Sequence, residues 1–257
     1  MINCTIAYSR LKQQVQDLFD FAVAVCYAIP SLKYQIKNKT KGKTATPIIR
    51  PDFFVKDQST PERIAELAHN YKAKLSSYIL LSSFSFFEDY LIRVLNELVA
   101  FHGGSEVFID LAEQRARKYV ISLSPEAQKH KRTLQEPIKP SKIGKYQKNT
   151  NELLDLNYRF PTELLSAYGV RMLIQKVKNL KSKDIPELLQ KGLHMELTNP
   201  RIEKFHAIRD MRNKIAHGEK VNLNLRQVMG MHKYLHELSK SIDKHLIEHF
   251  FVIEKFA

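Results

Sequence analysis

An all-α fold, a helical bundle with basic loop insertions, is what this 257-residue sequence predicts. Three observations carry the prediction. Apolar residues recur at three- and four-residue spacing along most of the chain. Gly is scarce, at eight residues, and no alternating strand pattern or hairpin turn accompanies it. Helix start and stop signals fall where the periodic stretches begin and end.

Taken in order, Leu11, Val15, Leu18, Ala22, Cys26 and Ile29 define an N-terminal helix. Thr60-Pro61-Glu62 is a helix start, with a capping hydroxyl and Pro at the first helical position. The periodicity from Ile64 to Leu98 then runs to a stop at Gly103-Gly104, as one helix or as two that break near Ser76-Ser77. A basic stretch interrupts the pattern, which resumes at Asn151 and restarts at Phe160-Pro161-Thr162 and Ser182-Lys183-Asp184. Asn199-Pro200 opens a helix that closes at His217-Gly218, and Leu225 to Phe250 forms the last. The chain therefore reads as a single helical domain over 1–257. It has an N-terminal helix and basic linker at 1–60, a core at 61–124 and 150–257, and a basic loop insertion at 125–149.

Charge is the dominant compositional feature. The 41 Lys and Arg against 27 Asp and Glu leave +14. Residues 33–50 hold six bases and no acid, and residues 112–150 hold ten bases and three acids. Almost the whole excess thus sits in two stretches rich in Pro, Gly, Ser and Thr, which reads as loops. They are either solvated mobile loops or phosphate-contacting flaps, since Lys-rich segments displace counterions from nucleic acid without reading its sequence.

Several classes are excluded or disfavoured. Cys4 and Cys26 are too few for a disulfide scaffold or a four-Cys zinc site, and reduced thiols in a cytoplasmic protein are the expectation. The longest apolar run, Phe21 to Ile29, is too short to span a bilayer, and Asp17 and Asp20 at its entrance argue against a signal peptide, so no membrane is expected. No phosphate-binding glycine loop occurs, because Gly103-Gly104 follows a helix and lacks the Gly-Lys-Ser/Thr ending. His232 with His236, and His245 with His249, have the four-residue spacing of zinc ligands, yet they flank an apolar stripe and read as packing residues. No metal and no cofactor is implied.

The remaining motif is Ile208-Arg209-Asp210-Met211-Arg212-Asn213-Lys214-Ile215-Ala216-His217-Gly218. A bare Arg-x4-His carries little weight, and Arg201 to His206 is a second instance in this chain. Asn213 directly after Arg212, the Ala-His-Gly ending and the preceding amphipathic helix distinguish the later copy. A simple helix C-terminus also accounts for His-Gly, because the macrodipole favours His and Gly closes the turn. The second notable stretch is Leu80-Leu81-Ser82-Ser83-Phe84-Ser85-Phe86-Phe87-Glu88-Asp89-Tyr90-Leu91.

Together these segments resemble the HEPN superfamily (higher eukaryotes and prokaryotes nucleotide-binding), in particular its prokaryotic RiboL-PSP-HEPN type. The resemblance covers residues 61–110 and 150–250 and leaves out the N-terminal helix and the 125–149 insertion. It implies a metal-independent endoribonuclease, of the kind that acts as a toxin or phage-defence effector, or else a non-catalytic module that binds nucleic acid or nucleotide. A helical protein-interaction domain is the remaining alternative.

RNA brings its own nucleophile, the 2′-OH, so cleavage requires a base, an acid and a cation for the phosphorane. His217 offers an imidazole that can give or take a proton, and Arg212 a planar fork that fits phosphate oxygens. Asn213 is a supporting residue that orients the site or satisfies the helix end. Glu88 is either a solvated surface carboxylate or the group that holds Arg212 or His217, and Asp210 is a further candidate support. Lys214, Lys131, Arg132, Lys142 and Lys145 are candidate RNA contacts. The products the resemblance implies are a 2′,3′-cyclic phosphate and a 5′-OH. One chain supplies one motif, and members of this superfamily typically pair two across a dimer, so a homodimer with a composite site is expected. An antitoxin or regulatory partner is compatible with that role, although no such segment is evident in the chain.

Overall fold

The computed structural model describes residues 3–43, 65–66, 68–121, 124–135, 139–161 and 165–253. Its principal helices are α1 (Ile6–Thr40), α2 (Tyr71–Phe101), α3 (Ser105–Ile121), α4 (Pro125–Leu134), α5 (Ile143–Asp155), α6 (Ser166–Lys178), α7 (Asn199–Ala216) and α8 (Leu225–His249). No strand occurs among the described residues, so the fold is all-α. The helix start expected at Thr60-Pro61-Glu62 lies outside the described residues.

The chain divides into two compact units. The first comprises Met1–Val94 and Lys181–Phe250, the second Leu95–Leu180 and Phe251–Ala257.

In the first unit, α1 starts at Thr5, whose hydroxyl accepts the Tyr8 N–H at 3.1 Å and donates to the buried carboxylate of Asp243 on α8. One side chain therefore caps one helix and ties it to another. α1 continues through Lys33 and Lys37 to Thr40, which corrects the expectation of a loop there. Lys propagates a helix well, and Lys37 and Lys39 in the last turn complement its negative end.

α2 is one unbroken helix. Ser76 and Ser77 donate back to the carbonyls of Lys72 and Ala73 at 2.8 and 3.2 Å instead of ending it. Its Leu80, Phe84, Phe87, Leu91 and Val94 are at most 1% exposed. Phe84 and Phe87 meet Phe205 of α7 at ring-centroid distances of 5.7 and 5.9 Å. Contacts of this geometry add about 0.5–1.5 kcal/mol each beyond area burial. α8 starts with a full capping box between Asn224 and Gln227, and Tyr90 of α2 donates to its Ser239 carbonyl at 3.2 Å.

The second unit pairs α3 with α6 through Glu113 and Arg171, and α4 with α5 through His130 and Asn149 at 2.9 Å. The stretch 125–149, expected as a loop, is thus largely helical. Its Pro and Ser residues are start signals: Ser124 caps α4 with Pro125 at the first helical position, and Pro140 opens a short 3-10 turn before α5.

Candidate functional site

Phe205, Ile208 and Arg212 recur at three and four residues along α7, so they share one face, and the first two are buried. Phe84 and Glu88 are four apart on α2 and likewise share a face. Packing the two faces brings Arg212 over the Phe84 ring, with its guanidinium carbon 4.5 Å from the centroid, and into an ion pair with Glu88. Both side chains are mostly covered, Arg212 at 19% exposure and Glu88 at 27%.

The fork is fixed from three directions. Nη2 donates to Glu88 Oε2, Nη1 donates to Asn213 Oδ1 at 3.1 Å, and Phe84 supplies a π face beneath. Nε–H is buried and has no hydrogen-bond partner among the described residues. A guanidinium carries five N–H donors, so the fork retains capacity for phosphate oxygens. Glu88 also accepts a hydrogen bond from Ser182. Burial pushes the Glu88 carboxyl above its usual range; Arg212 and the Ser182 bond pull it back without cancelling that rise.

His217 caps the C-terminus of α7, its N–H bonded to the Asn213 carbonyl at 2.9 Å, and it is exposed. Gly218 follows at φ +81°, a backbone conformation that strains a residue with a Cβ. Gly218 N–H reaches Ile215 O at 3.0 Å and Glu219 N–H reaches Lys214 O at 2.9 Å, the two bonds of a Schellman turn. The helix stop expected at His217-Gly218 is therefore present, and it also holds an accessible imidazole on a rigid corner. Arg212 and His217 make no hydrogen bond to each other among the described residues.

The other expected site residues divide. Asn213 and Glu88 both hold Arg212. Asp210 does not: it pairs with its neighbour Arg209 at 2.6 Å and is turned away from the Arg212 fork. Lys214 is exposed in the last turn of α7. Lys131, Arg132, Lys142 and Lys145 belong to the second unit; Arg132 and Lys145 are exposed on α4 and α5, Lys131 and Lys142 half-buried.

Three contributors went unforeseen: Phe84 beneath the guanidinium, Ser182 on Glu88, and Arg209 on Asp210. The Phe84–Glu88 spacing was a readable hint. Nothing local marked Ser182.

The His pairs are packing residues. His232 Nδ1 lies 3.2 Å from Ser83 Oγ, its ring meets Phe19 edge-on at 4.6 Å, and burial lowers its pKa to about 4. His245 Nε2 lies 2.7 Å from the Leu193 carbonyl oxygen. Among the described residues no group of three or more His, Cys, Asp or Glu is placed to hold a metal ion.

An all-α unit in which a buried Arg and an exposed His stand at the end of one helix, with the Arg bridged to a Glu on another, has the motif layout of a HEPN protein. The chain belongs to the HEPN superfamily: a family model described as RiboL-PSP-HEPN matches residues 53–248. No curated protein and no solved structure gives a match.

Proposed function

We propose that the chain is a metal-independent endoribonuclease that cleaves RNA through its own 2′-OH, with Arg212 and His217 as the catalytic residues. The observation that carries this reading is the seating of Arg212. A fork held by Glu88, Asn213 and Phe84 needs no ordering when a phosphate arrives, and preorganised charge is the largest contributor to stabilising such a transition state. His217, exposed at the same helix end, exchanges protons with the 2′-OH or the leaving 5′-oxygen.

One imidazole cannot be base and acid in the same step, so two copies of the chain supply a composite site. Lys214, Lys131, Arg132, Lys142 and Lys145 contact the RNA backbone. The biological role is that of a toxin or defence effector in the cytoplasm, restrained by an antitoxin or regulatory partner. The test is cleavage of a total-RNA substrate in EDTA. Wild type cleaves, and Arg212→Ala and His217→Ala each lower the rate by at least about 100-fold. Equal cleavage by all three overturns the reading.

One observation favours a second reading, a non-catalytic module that binds nucleic acid or nucleotide: Glu88 matches the charge of Arg212 within the single chain. RNA binding unaffected by either substitution, with no cleavage by wild type, identifies that case.

A further inference from the structure

The first half of α1 is anchored, with Ala7, Tyr8 and Leu11 buried. Its second half presents a different surface. Phe21, Val23, Tyr27 and Tyr34 are 61%, 54%, 76% and 69% exposed. Val23, Tyr27, Pro30 and Tyr34 follow one another at spacings of four, three and four, the seam pattern that packs against another helix. Beside them Ala24, Ala28 and Ser31 are small and exposed, which permits close approach. The helix is long and apolar enough by composition to cross a membrane, yet only 6% of its most apolar 18-residue window is buried.

The charges along this face are segregated. Asp17 and Asp20 are exposed at the N-terminal edge of the seam, Lys37, Lys39 and Lys41 at the C-terminal edge. Seventeen residues of helix separate Asp20 from Lys37, about 26 Å at 1.5 Å per residue. That distance far exceeds the Debye length of about 8 Å at physiological salt, so the two ends do not neutralise each other within one chain. A second copy laid antiparallel sets each acidic end beside the partner's basic end. A parallel copy stacks like charges. Lipid fits less well: the exposed apolar stretch from Phe21 to Tyr34 is about 20 Å long, against a hydrocarbon core of about 30 Å, and Asp20 borders it.

We infer that the exposed face of α1, centred on Val23, Tyr27 and Tyr34, is a self-complementary interface that docks antiparallel onto the same face of a second copy of this chain. The pairing is isologous, each acidic end against the partner's basic end. It does not rest on the ribonuclease reading, because α1 lies outside residues 53–248 and the measurement below reads mass alone.

The test is sedimentation equilibrium of the full chain at 0.15 M salt. Wild type sediments as a dimer, twice the 29.9 kDa of one chain. Val23→Glu with Tyr27→Glu gives a monomer; both side chains are exposed, and an unchanged circular-dichroism melt shows that the fold persists. The charge variants give the sharper arm. Asp17→Lys with Asp20→Lys raises the dimer dissociation constant at least tenfold, as does Lys37→Glu with Lys41→Glu, and combining all four restores it to within about threefold of wild type. A wild-type monomer overturns the inference, whether residues 44–64 of the same chain or another partner covers the face. So does a dimer indifferent to these substitutions, or a wild-type protein that pelts with phosphatidylcholine–phosphatidylserine vesicles through Tyr27 instead of self-associating.

Discussion

Removing either partner of the Arg212–Glu88 pair has unequal consequences, and the inequality follows from the burial of each. At about 4 Å and an effective dielectric of 20 the attraction amounts to about 4 kcal/mol. Desolvation offsets most of it, since the Glu88 carboxyl remains above its usual range even with Arg212 alongside. Glu88→Gln keeps the shape, retains an acceptor for Arg212 and relieves a half-buried charge, so it costs under about 1 kcal/mol. Arg212→Ala leaves Glu88 without its cation and strips the guanidinium from Phe84, which costs about 2–3 kcal/mol, the low end for a broken buried pair because both side chains keep some exposure. The double variant regains about 1 kcal/mol of that loss.

Urea denaturation followed by circular dichroism measures all three. The pH dependence supplies the sign. A carboxyl whose folded value is raised contributes stability that is full below its unfolded value of 4.5 and lost as pH rises through the folded value. With Arg212 gone that loss is larger, so the deficit of Arg212→Ala relative to wild type shrinks as pH falls from 7 toward 4.5. Equal costs for the two single substitutions, or a deficit that does not change with pH, would refute the reasoning.

Three further outcomes follow. His232, with its pKa lowered from 6.5 to about 4, contributes stability that is present above 6.5 and lost as pH falls through 4. About 2 kcal/mol disappears over that window after discounting for partial exposure, and His232→Gln flattens the slope in pH-dependent urea titrations. Gly218→Ala meets open space but forces a Cβ onto φ +81°, so it costs about 1 kcal/mol while lowering RNA cleavage by shifting His217; stability and rate unchanged together would rule out the corner. Replacing Lys131, Arg132, Lys142 and Lys145 by Ala reduces the slope of log binding constant against log salt by about 3 for single-stranded RNA, read by fluorescence anisotropy; an unaltered slope removes these residues from the interface.

Much of the helical core was legible because its signals are local. α7 opens at Asn199-Pro200 and closes at His217-Gly218 as its capping chemistry requires, and α8 follows its apolar spacing from Leu225. The basic segments misled because Pro, Ser and Lys were taken for loop residues. In α4 and α5 only Ala127 and Leu153 are buried, so little apolar periodicity outweighs that composition. At the site, the identities of Arg212, His217 and Glu88 were readable from type and pattern. The bridge between Glu88 and Arg212 spans 124 residues of sequence and depends on how α2 meets α7, which no local signal encodes. Asp210 was misjudged for the opposite reason: Arg209, immediately adjacent, captures it.

The most direct test of the catalytic reading is the chemistry of the cut ends. A defined RNA oligonucleotide incubated with the protein in EDTA and resolved by mass spectrometry is predicted to give a 2′,3′-cyclic phosphate and a 5′-OH. The same oligonucleotide with a 2′-deoxy nucleotide on the 5′ side of the cut stays intact. A 5′-phosphate product, or cleavage of the deoxy-substituted strand at the same position, contradicts the account.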